Sequence, residues 1–455
     1  MKILLVVHSF PPHTIAGTEV YTEKLSRQLS REHEIHVFFR VNNKKEGEYS
    51  LKRGFGDIKT YSLNRTLNSC RSFEETYSDK RLDEIFGKLL DEIKPDIIHI
   101  QHLLFLSLGI ITEARKREIP IAFTLNDYWL FCHKGQLLKQ DFSICQKPVN
   151  CECQHCLISQ LAIKKNTIFL YNKAKRNLSN IPLQILKRVY LCFASMFFLS
   201  EEAKSQAIQM RLNCAKEVFN DVDLFIAPSR FIKNKFISFG VASDKIIYSP
   251  YGIDLKKLPI HVKSPSKEIR FGYIGTLLPM KGVNILIAAF KKIKSTDIKL
   301  FIYGRQKSYA GYESYYQKLN NMIKLDCRIH LMGSFDNNDI SEVMADINIL
   351  IVPSIWQENS PIVIQEAFAT KTPVIASRIG GIPELIDDGV NGLLFNPGDI
   401  ADLKQKMELI ALAPGMINKF KDNMPKIKSI EENAQELTKI YREISDRLKK
   451  SIAKP

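Results

Sequence analysis

No segment of this 455-residue sequence is apolar for long enough to cross a bilayer. The nearest candidate, Tyr190 to Leu199, is about half the length a span requires and follows Lys187 and Arg188, so no transmembrane helix is expected. The amino terminus lacks the apolar core of a secretion signal: Ile3 to Val7 is a short run ended at once by turn residues, and it predicts a first strand. A cytoplasmic location is the expectation. Neither strand-helix-strand unit carries the dinucleotide fingerprint G-x-G-x-x-G, which argues against a dehydrogenase. Internal repeats of the solenoid kind are also missing. So are recognised nucleic-acid modules and any basic stripe interleaved with aromatics, so no nucleic acid is expected as a partner.

What is present is a length suited to two domains and a hydrophobic content of 45%, ordinary for a globular protein. The formal net charge of +16 favours phosphate-bearing partners without choosing among nucleic acid, lipid and nucleotide.

The first third alternates strand and helix. "KILLVV" is followed by a helix from about Thr18 to Ser30 and by the strand "EIHVFF"; from Pro95, "DIIHI", a helix over Leu104 to Lys116 and "PIAFTL" repeat the pattern. A parallel sheet is predicted. Alternation stops over about 128–220 and returns with "VDLFIAPS". The predicted division is an amino-terminal domain over 1–253 with that stretch as an insertion, a linker over 254–268, a carboxy-terminal domain over 269–425, and a helical segment over 426–455 packing back on the first domain. The second domain reads as a doubly wound α/β sheet built from "IRFGYIG", "IKLFIYG", "RIHLMGS", "INILIVPS" and "TPVIAS".

Two glutamates, Glu358 and Glu366, follow the strand that ends near Val352. Open α/β sheets bind ligands at the carboxyl ends of their strands, and the next helix has a clean start, with Ser360 as a cap and Pro361 in the first turn. Amides from Ile362 onward and the helix dipole make an anion site there. Carboxylates accept from hydroxyls, so the pair suits an anion flanked by polyols, a sugar on one side of a diphosphate and a ribose on the other. Lys281, in "GTLLPMKG", adds the cation, and Gly275 and Gly282 allow close backbone approach.

The run from Glu358 to Phe395, ending in "GGIPELIDDGVNGLLF", resembles the donor-binding signature of the family 4 retaining glycosyltransferases, as do "PYGID", "GTLLPMKG" and "SFPPHTIAGTEVYTEKLSRQL". The resemblance covers nearly all of the chain outside the insertion. It implies the GT-B architecture, two doubly wound Rossmann-like domains facing each other across a cleft, with a UDP- or GDP-type sugar bound by the second domain and the acceptor mainly by the first. It further implies that Glu358 holds sugar hydroxyls, that the amides around Asn359, Ser360 and Ile362 hold phosphates, that Glu366 takes the ribose, and that Lys281 stabilises the leaving diphosphate without a divalent cation. Two departures stand out. Thr276 occupies a position where many relatives have arginine, shifting phosphate charge to Lys281 or Arg305, and the usual His-x-His reads His99, Gln101, His102 here.

Of these histidines, His102 is the candidate to approach the sugar, with His99 packed in the sheet. Asn126 and Asp127 are acceptor-side candidates, and Gly17 can bring backbone to the donor phosphates. Cys132, Cys145, Cys153 and Cys156 are either a structural zinc set, with Cys151, His133 and His155 as spare ligands, or reduced thiols. The basic and apolar text over Ile163 to Ser200 either rests on anionic membrane, presenting the protein to a lipid-linked acceptor, or packs on its own domain. The leading functional expectation is retaining hexosyl transfer to a glycan or lipid-linked hydroxyl in cell-surface polysaccharide biosynthesis. A nucleotide-sugar epimerase and a non-catalytic nucleic-acid binder are the alternatives.

Overall fold

The computed structural model describes all residues except 67–69, 71, 147–152, 154–155, 158–199, 262–267, 307–313 and 453–455, together with the side chains of 449–452. The basic text of the insertion, Cys151, His155 and part of the expected linker lie outside the described residues. The chain forms two compact units, one of Met1–Ala227, Lys235–Ile247 and Leu437–Pro455, the other of Pro228–Asn234 and Tyr248–Glu436.

The first unit is built on a sheet of eight strands: β1 (Lys2–Val7), β2 (Glu34–Val41), β3 (Leu51–Gly54), β4 (Ile58–Asn64), β5 (Ile97–Ile100), β6 (Ile121–Thr124), β7 (Leu224–Ala227) and β8 (Ile246–Tyr248). Their order is β3-β4-β2-β1-β5-β6-β7-β8. Pairing is parallel from β4 through β7, and β3 alone is shown running antiparallel to its neighbour. The chain winds outward from β1 to β4 and then returns to β5 on the other side of β1, so β1 and β5 flank the topological switch point. The central strands are apolar and buried throughout, as a sheet covered on both faces requires. The hairpin of β3 and β4 is not singled out by periodicity, because β3 reads "LKRG" and is largely exposed.

The second sheet orders β9 (Ile269–Ile274), β10 (Ile298–Tyr303), β11 (Ile329–Gly333), β12 (Ile349–Val352), β13 (Val374–Ser377) and β14 (Gly392–Phe395) as β11-β10-β9-β12-β13-β14, all parallel. Its switch point lies between β9 and β12. Phe271, Leu300, Ile351, Ile375 and Met407 belong to one buried apolar cluster of this unit.

Helix α1 (Gly17–Leu29) follows β1 and turns Tyr21, Leu25 and Leu29 inward. The helix expected from Leu104 begins only at Gly109. The His102 ring takes the Leu104 amide, and Phe105 sits at φ 56°, a left-handed conformation that interrupts a right-handed helix. Two further helices matter below, α2 (Val283–Lys291) and α3 (Ile362–Ala369), and a last one, α4 (Ile430–Ile452), enters the first unit from Leu437.

His99 is packed inside the first sheet as expected, fully buried, with Nδ1 2.6 Å from the Tyr441 hydroxyl of α4 and Nε2 2.7 Å from Thr124 Oγ1. Burial pushes its pKa from the ordinary 6.5 down to about 3. Between those values the unfolded chain binds a proton that the folded unit refuses, so stability falls as pH drops from about 6.5 towards 3. Urea unfolding followed from pH 7 to pH 4 should show the midpoint falling with acidification. Tyr441→Phe, which strips a buried partner from His99, should cost about 1–3 kcal/mol at pH 7 in the same measurement.

Candidate active site

Each unit carries a polar cluster at the carboxyl end of its switch-point strands. In the second unit the construction begins with glycine. After β9 the chain turns through Gly275 at φ 156° and a short 3-10 turn over Pro279–Lys281 into Gly282 at φ 72°, the residue before α2. A Cβ on Gly282 would lie 1.9 Å from the Pro353 carbonyl oxygen, so only glycine lets this turn press against the segment leaving β12. The Ile355 amide bonds the Met280 carbonyl at 2.9 Å across the same contact.

That approach brings Lys281 Nζ to 2.6 Å from Glu358 Oε1. The same oxygen accepts from Ser354 Oγ and Trp356 Nε1, each at 2.7 Å, and the lysine ammonium stands 5.1 Å from the centre of the Trp356 ring. Glu358 is 6% exposed. With three donors on Oε1, Oε2 accepts no hydrogen bond among the described residues and is the atom able to take a hydroxyl. A second glycine pair holds the backbone: Gly380 sits at φ 61°, where a Cβ would meet the Glu358 carbonyl at 2.1 Å, and the Gly381 amide donates to that carbonyl at 2.8 Å.

The remaining donor-side candidates surround this point unequally. Asn359 Oδ1 accepts from Ser229 Oγ at 2.7 Å. The expected Ser360 cap is not formed: α3 is preceded by Pro361 with no side-chain cap bond, while Ser360 Oγ accepts from Gln365 Nε2 at 3.2 Å. Proline takes the capping place because its φ of −60° suits the helix entry, and it has no side-chain acceptor, so the amide-rich start of α3, Ile362 included, carries no capping oxygen. Glu366, four residues into the helix, is half-buried. Thr276 engages by its carbonyl, which accepts from the Tyr273 hydroxyl at 2.9 Å, and Arg305 is exposed beyond β10. Ser354, Trp356 and Tyr273 were not legible as site residues. Trp356 had one signal, an aromatic two residues before Glu358 in the segment leaving the strand.

The first unit gathers four titratable side chains. His102, leaving β5, is 5% exposed; its Nδ1 accepts from the Leu104 amide at 3.0 Å and its Nε2 lies 2.9 Å from Asp127 Oδ2. Asp127 Oδ1 takes the Trp129 amide at 2.8 Å, and Asn126 Nδ2 donates to the Gln101 carbonyl at 2.6 Å. The loop around Asp127 is tied to the helix Glu201–Asp221 by buried Arg211, which donates to the Leu130 and Trp129 carbonyls. Gly17, exposed, opens α1. The residues that sequence reasoning missed are His8, at the end of β1, and Glu19, one turn into α1, described further below.

Cys132, Cys145, Cys153 and Cys156 are reduced thiols. Among the described residues no group of three or more His, Cys, Asp or Glu side chains is arranged to hold a metal ion. Burial pushes the Cys156 thiol pKa up, with Lys134 opposing and Cys132 adding to the rise.

Comparison with known proteins bears on both clusters. Residues 256–427 match the description "Glycosyl transferases group 1" and residues 15–157 match "Glycosyltransferase Family 4". The chain belongs to the family 4, group 1 glycosyltransferases. Against an uncharacterised glycosyltransferase of Methanocaldococcus jannaschii, this glycosyltransferase is 31% identical over 239 residues, 49% of its own chain and 60% of the relative. Against a putative colanic acid biosynthesis glycosyltransferase of Salmonella typhimurium it is 25% identical over 198 residues, 42% of its chain and 48% of the relative. The chain thus spans about half to three-fifths of the length of these two relatives. Among solved structures, sucrose-phosphate synthase of Thermosynechococcus elongatus aligns with TM-score 0.67 at 16% identity, over 97% of this chain and 98% of that one. HepE of Anabaena, in complex with UDP and glucose, aligns with TM-score 0.60 at 16% identity over the whole of both chains. The glycosyltransferase has the two Rossmann-like parallel-sheet domains of these GT-B enzymes. Among the described residues, it has no helix long and apolar enough to cross a membrane.

Gly282→Ala should cost about 1–3 kcal/mol from the backbone conformation alone, before the collision with Pro353 is relieved. Urea unfolding of the full chain measures it. The substitution should also abolish nucleotide-induced stabilisation if Lys281 and Glu358 are forced apart.

Proposed function

We propose that the protein transfers a sugar from a nucleotide-diphosphate donor, with retention of anomeric configuration, to a hydroxyl of a glycan or lipid-linked acceptor during cell-surface polysaccharide biosynthesis. The observation that carries this reading is the Lys281–Glu358–Trp356 cluster at the switch point of the second sheet, directly before the uncapped start of α3. A buried carboxylate with one oxygen saturated and the other open is built to orient a hydroxyl, and the helix start beside it favours an anion. Glu366, farther along α3, is the ribose partner in this reading.

Lys281 has two roles in sequence. In the free protein its charge neutralises buried Glu358, a pair that would be costly to bury with either partner alone. When a diphosphate arrives, the ammonium has an anion of higher charge to turn to, and Glu358 is freed for the sugar. Stabilisation of charge developing on the leaving diphosphate then comes from Lys281 and the α3 amides, with Arg305 beyond the neighbouring strand, so the proposed reaction requires no divalent cation. Acceptor hydroxyls are handled by the first unit, where His102, Asn126 and Asp127 stand at the ends of β5 and β6. Peripheral contact with anionic membrane through the basic insertion would deliver a lipid-linked acceptor. The UDP and glucose bound by HepE and the colanic acid role named for the Salmonella relative support the donor class and the biosynthetic setting.

Thermal unfolding of the full chain against UDP, GDP, ADP and their sugar conjugates, without metal and with EDTA, tests the proposal. One nucleotide should stabilise the protein by roughly 2.7 kcal/mol at a hundredfold excess over its Kd. Glu366→Ala should lose most of this effect, and Glu358→Gln should lose the extra stabilisation given by the sugar over the bare nucleotide. Absence of stabilisation by any nucleotide, or equal stabilisation of Glu366→Ala, overturns the assignment. Conversion of the sugar into its epimer without an acceptor would instead indicate an epimerase.

A further inference from the structure

The end of β1 presents a histidine whose surroundings leave one nitrogen waiting for a partner. His8 Nε2 lies 3.3 Å from Glu19 Oε1, an oxygen that also accepts from Thr14 Oγ1 at 2.9 Å. Glu19 is 4% exposed. Burial raises its carboxyl pKa, but the hydrogen bonds from His8 and Thr14 outweigh burial and hold it at about 2, so it is an ionised acceptor at neutral pH. An ionised carboxylate can only accept, which places the ring proton on His8 Nε2 and leaves a lone pair on Nδ1. Nδ1 is buried and has no hydrogen-bond partner among the described residues.

The neighbouring histidine differs. His102 lies edge-to-face with His8, their ring centres 4.6 Å apart across the β1/β5 switch point. Its Nδ1 is occupied by the Leu104 amide and its Nε2 by Asp127, so no lone pair remains for a ligand. The titratable groups facing His8 are therefore Glu19 from α1, His102 from the loop after β5 and Asp127 from the loop after β6. Burial and His102 hold the His8 ring below its ordinary pKa of 6.5, against Glu19 and Asp127.

The geometry points to His8 Nδ1, rather than either nitrogen of His102, as the atom that receives a hydrogen bond from a hydroxyl of the sugar acceptor, with Glu19 as the positioning residue that sets its tautomer. A hydroxyl is the fitting class because the site needs a donor of one hydrogen with no charge. An anion would meet Glu19 and Asp127, and a cation would have only one neutral nitrogen to bind. The small cavity beside His102 is lined by Asn126, Asp127, Trp129 and Leu130. His102, saturated by its two partners, acts as the wall against which His8 is held. The inference rests on the transferase reading for the identity of the ligand, while the tautomer it requires is a property of the free protein.

Long-range proton–nitrogen correlation spectra of the full chain labelled with 15N-histidine read that tautomer. Wild type should show His8 with a protonated Nε2 and a bare Nδ1. Glu19→Gln, whose amide can donate to Nε2, should move the ring proton to Nδ1, a change that a merely structural glutamate would not produce. Methyl α-D-glucopyranoside, mannopyranoside and galactopyranoside are then the probes, and at least one should shift His8 Nδ1 and leave His102 Nδ1 in place. With the nucleotide sugar found by thermal unfolding, sugar transfer to that methyl hexoside, read as release of nucleoside diphosphate, should fall about 10²- to 10⁴-fold in His8→Phe. In Glu19→Gln the fall should be about 10- to 100-fold, with the donor KM unchanged in both. A protonated Nδ1 in the free wild type, or hexosides that shift His102 Nδ1 in place of His8 Nδ1, overturns the inference. So does wild-type release by a folded His8→Phe. If no donor is turned over by wild type, the transferase reading fails while the spectra still decide the assignment of His8.

Discussion

The donor-side chemistry of this protein depends on a contact between two stretches of backbone. The turn after β9 and the segment after β12 approach so closely at Gly282 and Pro353 that no side chain fits between them. Everything polar at that switch point follows from the approach. Lys281 reaches Glu358 because its turn is pressed against the neighbouring segment, and the burial of the Glu358 charge is tolerable because the half-buried lysine is its partner. Gly380 and Gly381 do the same on the opposite side of Glu358, so the carboxylate is gripped through its main chain from one flank and its side chain from the other.

The two sheets solve one problem in the same way. A parallel sheet whose chain winds first to one side and then to the other leaves a crevice between the two strands at its switch point, β1 and β5 in one unit, β9 and β12 in the other. In both units the residues that follow those strands are the ionisable ones. In the first, two carboxylate–histidine pairs stand side by side; in the second, a carboxylate is matched by an ammonium and an indole. Within each cluster buried charge is compensated locally, and the atoms left over, Glu358 Oε2 and His8 Nδ1, are both hydrogen-bond acceptors. Sugars are donors of many hydrogen bonds, which is consistent with the family.

Much of this was legible along the chain. Apolar strands at helix-length intervals specify a parallel sheet, and Glu358, Glu366 and Lys281 stood out because each falls just before or within a helix that follows a strand. Other residues were hidden for identifiable reasons. Trp356 and Ser354 have no periodic or motif-like spacing, and their role exists only because their donors converge on one oxygen. His8 lies at the end of a buried run that reads as strand, and Glu19 in an amphipathic helix that reads as surface. The cysteines have the spacing of a metal site, yet spacing constrains only neighbours in sequence.

The sequence by itself determined the two-sheet α/β architecture, the family, and the glycines at which backbone must come close. Those properties are local, since strand period, helix signals and the absence of a Cβ are set residue by residue. Only the tertiary structure decided which nitrogen of which histidine is free, which oxygen of Glu358 is taken, and that Ser360 caps nothing. Hydrogen-bond saturation depends on partners far away in sequence, 342 residues in the case of His99 and Tyr441, and no one-dimensional pattern records how many of a side chain's lone pairs have already been used.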